Sequence, residues 1–327
     1  MVVRFFKDTN TASLIAMPLV ASLVYSLGYI KAPPIFSVED AGPLYLWLSN
    51  YTSHFSRPAF FAIGLVLFIA QVFYLNYISN KYEILYKPSH LPALLFIVCK
   101  CWYPGFLCLH PVVFVNCIML LVLELLFSVY KSESGLSTIF IAGFLIAVAS
   151  LFYVPAAVFF LLLWVCLILL RPLGWRDWII SILGFVTPFY FISIYYFWQN
   201  NLLVFWTSLL HFTDEHMHLI FVYNNRYYFS LAVLAFLMLV SILKLQGNFF
   251  KNFIRTRRYQ QALGAFLLLA GASVFMGTSI SIYHFSMLSI PLSIVLGYFF
   301  LATKKAFWVE LVFLLLVSAL VYNYLIF

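Results

Sequence analysis

Charge is scarce in this sequence and acid scarcer still: 9% of the 327 residues are charged, with ten Asp or Glu against eighteen Lys or Arg. Soluble globular domains carry about 25% charged residues, so the chain holds no such domain. The signatures of common soluble enzymes are missing as well, since no P-loop, GxGxxG, HExxH or GxSxG occurs. Cysteine is limited to Cys99, Cys101, Cys108, Cys117 and Cys166, all in or beside apolar stretches and without zinc spacing. That pattern predicts buried free thiols. No internal repeat or low-complexity tract is present. Long basic runs are absent too, and with them the case for nucleic acid as a partner, despite a formal net charge of +8.

What is abundant is apolar side chain: 65% of residues are hydrophobic and 20% aromatic. Windows long enough to cross a bilayer occur at about 12–30, 59–78, 91–109, 111–129, 138–152, 153–170, 178–198, 228–245, 262–279, 285–303 and 307–327. The expected fold is therefore all-α, a polytopic transmembrane bundle of about eleven spans in one integral membrane domain, 1–327. The pair at 138–170 is read as two spans because Pro155 suits a helix start and disfavours helix at the residue before it. Arg4 and Lys7 precede the first apolar window as in a signal peptide. That window is nonetheless long enough to span, and it is read as uncleaved.

The basic residues supply an orientation. With the N-terminus inside, fourteen of the eighteen fall on the cytoplasmic side, three (Lys31, Arg57, Arg226) on the other, and Lys100 within a span. This is the positive-inside bias, and it leaves the C-terminus outside. Three segments stand out in that frame. Residues 31–58 form a first periplasmic loop with an interfacial helix, whose apolar face is Leu44, Trp47, Leu48, Tyr51 and Phe55. Residues 199–227 form a second long periplasmic segment. Residues 246–261 form a basic cytoplasmic loop suited to anionic membrane lipid.

Polar groups collect on the outer side. Glu39 and Asp40 have two compatible readings: a helix start of the form S-x-x-D capped by Ser37, and a carboxylate at the bilayer surface acting as general base or metal ligand. Asp214, Glu215, His216 and His218 carry the oxygen and imidazole ligands that suit a divalent ion, or else form a solvated loop. Arg226, and with it Arg57 and Lys31, either meets lipid headgroups or binds a lipid-linked phosphate. Six of the seven His, including His110 and His284, fall in these outer segments, and only His90 inside. Within the spans, Lys100 and Glu124 lie on antiparallel neighbours and are expected to form an intramembrane ion pair, the rival being a proton or ion path.

Two resemblances follow from particular residues. The runs Asn80-Lys81-Tyr82-Glu83-Ile84-Leu85, Lys87-Pro88-Ser89-His90-Leu91-Pro92, Phe152-Tyr153-Val154-Pro155 and Leu169-Leu170-Arg171-Pro172-Leu173-Gly174-Trp175-Arg176-Asp177-Trp178 resemble an uncharacterised family of bacterial polytopic inner-membrane proteins. The paired acids, the interfacial helix and the Phe-Tyr-x-Pro break resemble the layout of GT-C glycosyltransferases. That resemblance implies a polyprenyl-phosphate sugar as donor, Asp40 or Glu39 as catalytic base, and Arg226 or Arg57 at the donor phosphate. The chain departs from larger members in lacking a soluble C-terminal domain. The expected function is thus sugar transfer at the periplasmic face of the bacterial inner membrane. The alternatives are a non-enzymatic scaffold or accessory subunit of an envelope-assembly complex, and a transporter.

Overall fold

The computed structural model describes residues 2–31, 41–52, 56–130, 135–171, 174–210, 227–276, 282–303 and 305–326. Its helices, in chain order, are α1 (Val2–Lys7), α2 (Thr11–Lys31), α3 (Pro43–Thr52), α4 (Arg57–Lys81), α5 (Leu91–Lys100), α6 (Pro111–Ser128) and α7 (Leu136–Phe152). Then follow α8 (Phe159–Leu170), α9 (Trp175–Trp198), α10 (Leu202–Leu210), α11 (Tyr227–Asn248), α12 (Ile254–Ala272), α13 (Ser289–Ala302) and α14 (Ala306–Ile326). Among the described residues there is no strand, only an isolated backbone bridge between Ala41 and Tyr153. Seven helical segments are long and apolar enough to cross a membrane, namely those in α2, α4, α6, α9, α11, α14 and in α13 with its lead-in. The protein is accordingly an all-α, polytopic membrane bundle.

Proline sets many of the starts. Pro43 and Pro111 open α3 and α6, and Pro58 and Pro92 fall in the first turns of α4 and α5, where no backbone N–H is needed. Proline also accounts for the differences from the apolar windows. The expected single span 91–109 is broken: α5 stops at Lys100, Tyr103 is extended before Pro104, and a 3₁₀ turn fills Pro104–Leu107. Tyr153 is extended before Val154-Pro155, so 138–170 divides into α7 and α8, joined by a 3₁₀ turn at Val154–Val158. The basic stretch 246–261 is largely not a loop. It comprises the end of α11, a 3₁₀ turn at Phe249–Lys251 and the first turns of α12.

Hydrogen bonds sort the helix ends into two groups. At the basic end, the His90 amide donates to the Phe6 carbonyl, Thr256 to that of Glu83, Gln260 to that of Ile84 and Tyr259 to that of Phe127. At the opposite end, Gly42 donates to the Phe152 carbonyl, Tyr45 to that of Leu109 and Asn323 to that of Trp102. The interior is built on α5, α6, α8, α12 and α13, with Phe96, Phe127, Phe159, Phe266 and Phe300 fully enclosed. The α13 segment is 78% buried and that of α11 only 11%. On α9, Ile179, Leu183, Phe191 and Phe197 all point outward. Apolar faces of that size, uncovered by protein, are faces for lipid.

Candidate functional site

Most of the side chains singled out for chemistry lie outside the described residues: Glu39, Asp40, Asp214, Glu215, His216, His218 and Arg226. Arg57 is placed only as the first residue of α4. What the structure describes is the surface those segments adjoin in the chain. The first loop re-enters at Ala41, which bridges to Tyr153, while Gly42 donates to the Phe152 carbonyl at 2.9 Å. A Cβ on Gly42 would overlap the Leu151 carbonyl, so only glycine lets the loop lie this close to the break between α7 and α8.

Tyr153 carries the contact inward. Its hydroxyl is 3.1 Å from His284 Nδ1, and His284 Nε2 is 2.8 Å from Ser273 Oγ and 3.3 Å from the Ala270 carbonyl. Because a carbonyl only accepts, Nε2 carries the proton and Nδ1 accepts from the tyrosine, a neutral imidazole with both nitrogens bonded. Three breaks in helical structure are thereby tied together: the 3₁₀ turns at Val154–Val158, Ser273–Met276 and Ile282–Leu288. Comparison with protein-family models, with curated proteins and with solved structures found no match for this chain.

His110 and His284, expected in outer loops, are both buried. His284 lies in the 3₁₀ turn Ile282–Leu288, and His110, the extended residue before α6, sits beside the Tyr283 ring at 5.1 Å. Among the described residues, no three His, Cys, Asp or Glu gather where a metal ion would sit. None of the five cysteines forms a disulfide; four are buried and Cys117 is half-buried.

The expected Lys100–Glu124 pair is not formed. Lys100 is buried at the far end of α5 and donates to Ser286 Oγ, while Asn116 Nδ2 holds the Ser286 carbonyl at 3.1 Å. Glu124 lies about two turns beyond Asn116 on α6 and takes a hydrogen bond from Tyr74 and a 2.6 Å ion pair from Lys81. Apolar periodicity places each residue on a helix face but does not say which neighbour reaches it, and α4 supplies Lys81 at the level of Glu124. Beside Lys100 the structure leaves a cavity of about 10 Å³, room for about one water. In double-mutant cycles on thermal stability, Lys81→Met and Glu124→Gln are expected to be non-additive, and Lys100→Met and Glu124→Gln additive. Coupling in the second cycle and none in the first would reverse this assignment.

Between α3 and α9 runs a groove of about 240 Å³, lined by Pro43, Leu44, Trp47, Ile192, Tyr195 and Tyr196. It begins one residue past Gly42. Helix α3 thus turns Leu44 toward the bundle and leaves Trp47 and Tyr51 exposed, their rings 4.7 Å apart and tilted at 60° to each other.

A second set of polar contacts lies at the basic end. His90 Nδ1 donates to Asn76 Oδ1 at 3.0 Å, and burial holds the imidazole below its ordinary pKa and hence neutral. Asn80 Oδ1 accepts from the Ser89 amide, Ser89 Oγ donates to the Phe6 carbonyl, and Lys87 pairs with Asp8, lowering the pKa of that carboxyl. Glu83 adopts a left-handed φ of 49°, which a turn this tight requires. The run Asn80 to Pro92 is therefore a built corner, clamping α1, α4 and α5.

Proposed function

We propose that the protein is a GT-C-like glycosyltransferase of the bacterial inner membrane, with about eleven crossings, its N-terminus in the cytosol and its active face in the periplasm. One observation carries this reading. The chain that follows Glu39 and Asp40 is fixed by Ala41 and Gly42 to the α7–α8 break and runs straight into an apolar, aromatic-lined groove of about 240 Å³. An isoprenoid chain suits that groove, because it is apolar, extended and enters sideways from the bilayer.

In this scheme the acceptor hydroxyl oxygen attacks the anomeric carbon of the lipid-linked sugar. The bond from that carbon to the phosphate oxygen breaks, and polyprenyl phosphate leaves with the electron pair. Asp40, or Glu39 beside it, takes the acceptor proton. Arg226 and Arg57 hold the donor phosphate, and Asp214, Glu215, His216 and His218 provide ligands for a divalent ion. The groove tests the donor class directly. Lipid extracted from the purified protein is expected to be enriched in polyprenyl-phosphate sugar over the surrounding membrane, and Trp47→Ala to reduce that enrichment. Extracts matching bulk lipid in both proteins would remove the proposal.

A further inference from the structure

We infer that the α11–α12 hairpin holds a site for the phosphate headgroup of an anionic phospholipid, at the end of the bundle opposite the proposed transfer site. A cavity of about 340 Å³ lies here, lined by Phe249, Ile254, Arg257, Arg258 and Gln261. The hairpin is preformed. Asn252 Nδ2 bonds Gln260 Oε1 at 3.1 Å and Tyr298 Oη at 3.3 Å, closing the turn on the helix that follows it. Thr256 and Gln260 anchor the inner face of α12 to the Glu83 and Ile84 carbonyls. Arg257, Arg258 and Gln261 come from the other face of the same turns, and so line the cavity without being needed to hold the helix.

The cations are uncommitted. Neither Arg257 nor Arg258 has an ion pair among the described residues, and Arg257 Nε is buried without a hydrogen-bond partner there. No Asp or Glu occurs in the sequence between Glu215 and Glu310, so the chain on both sides offers them no carboxylate. The Arg257 guanidinium is held 5.8 Å from the Phe249 ring centre and 6.0 Å from that of Phe250, which fixes its plane and leaves its N–H groups free to donate. The first turn of α12 has no side-chain cap, adding backbone N–H groups of the same sign.

The surroundings specify a lipid rather than a soluble phosphate. Phe250, Phe253 and Ile254 are 84%, 75% and 64% exposed beside the arginines. Bulky apolar side chains rimming a cationic pocket at the end of a membrane bundle sit at the level of the acyl chains, with the guanidinium groups at the phosphates.

The test counts lipids retained by the purified protein in native mass spectrometry, titrated with phosphatidylglycerol or with phosphatidylcholine. Wild type is expected to retain phosphatidylglycerol selectively. The Arg257→Gln, Arg258→Gln double variant is expected to bind it about thirtyfold more weakly, from about fivefold for each membrane-surface cation. Arg176→Gln, which removes one charge at the same end of the bundle, is expected to leave retention unchanged. Arg258→Glu, at an exposed position where folding is not at stake, is expected to lose at least as much as one cation is worth. The site is refuted if the double variant binds like wild type, or if Arg176→Gln weakens binding as much. Displacement of the lipid by inorganic phosphate would assign the pocket to a soluble anion and refute it as a lipid site.

Discussion

Asp40→Asn is expected to abolish sugar transfer while the protein still reaches the membrane in wild-type amount. A carboxylate that takes a proton from the attacking hydroxyl contributes about 10²- to 10⁴-fold to the rate, and an amide of the same shape cannot take that proton. Glu39→Gln distinguishes the two neighbours: the variant with the larger loss marks the base, and the other retains most activity. The measurement is transfer from a labelled polyprenyl-phosphate sugar in membranes carrying equal protein. Under the competing reading, in which Asp40 only completes a helix start behind Ser37, the substitution costs about 1 kcal/mol of local stability or less. Activity then survives, and the proposed role of the acid fails. The structure makes the experiment sharp because Ala41 and Gly42 are tied to Phe152 and Tyr153 through their backbones. Changing the side chain of Asp40 leaves those bonds intact.

Much of the architecture was legible in the residues, for physical reasons that can be named. All eleven apolar windows contain helix in the structure, because a bilayer leaves the backbone no other way to pair its polar groups in an open chain. The break at Tyr153-Val154-Pro155 was legible because proline suits the first turn of a helical segment, and a 3₁₀ turn does start there, behind an extended Tyr153. The same rule applied to Tyr103-Pro104 would have divided the 91–109 window, which hydrophobicity alone treats as continuous. Partners were less legible than faces. Lys100 and Glu124 sit on antiparallel neighbours, yet Ser286 and Lys81 reach them first. A third helix decides each pairing, and pairwise reasoning about α5 and α6 leaves it out. Histidines were the poorest guide. His284 has the sequence surroundings of a loop, but its imidazole joins Tyr153 to Ser273 inside the bundle. The useful signal was its neighbourhood of small hydroxyl residues, Ser281, Ser286 and Ser289, which suits compact turns better than an open loop.

Gly184→Ala is expected to be severely destabilising, and Gly264→Ala is not, although both glycines lie within helices. Helices α7 and α9 approach through their backbones: a Cβ on Gly184 would overlap the Phe140 carbonyl oxygen, and one on Gly143 would lie 2.7 Å from the Ser181 carbonyl oxygen. Small residues at such a crossing let two helices meet closely enough for continuous van der Waals contact in a medium that supplies no hydrophobic drive between them. The overlapping partner is main chain, so no rotamer change relieves it and the helices must separate. Overpacking of this kind costs about 1–3 kcal/mol and occasionally more. Separation here also disturbs the Phe160–Phe185 ring contact at 4.6 Å and the bond from Trp164 Nε1 to Ser181 Oγ at 3.1 Å. At Gly264, a Cβ meets nothing within 4 Å. Alanine there gains up to about 1 kcal/mol of helix propensity. Thermal unfolding in detergent should therefore move in opposite directions for the two variants. Because α7 ends at Phe152, where Gly42 docks, loosening α7 from α9 should also release the first loop and the groove beside it. Gly184→Ala is accordingly expected to lose bound isoprenoid lipid as well as stability, and equal melting temperatures for the two alanine variants would show that the α7–α9 crossing is not close-packed through these glycines.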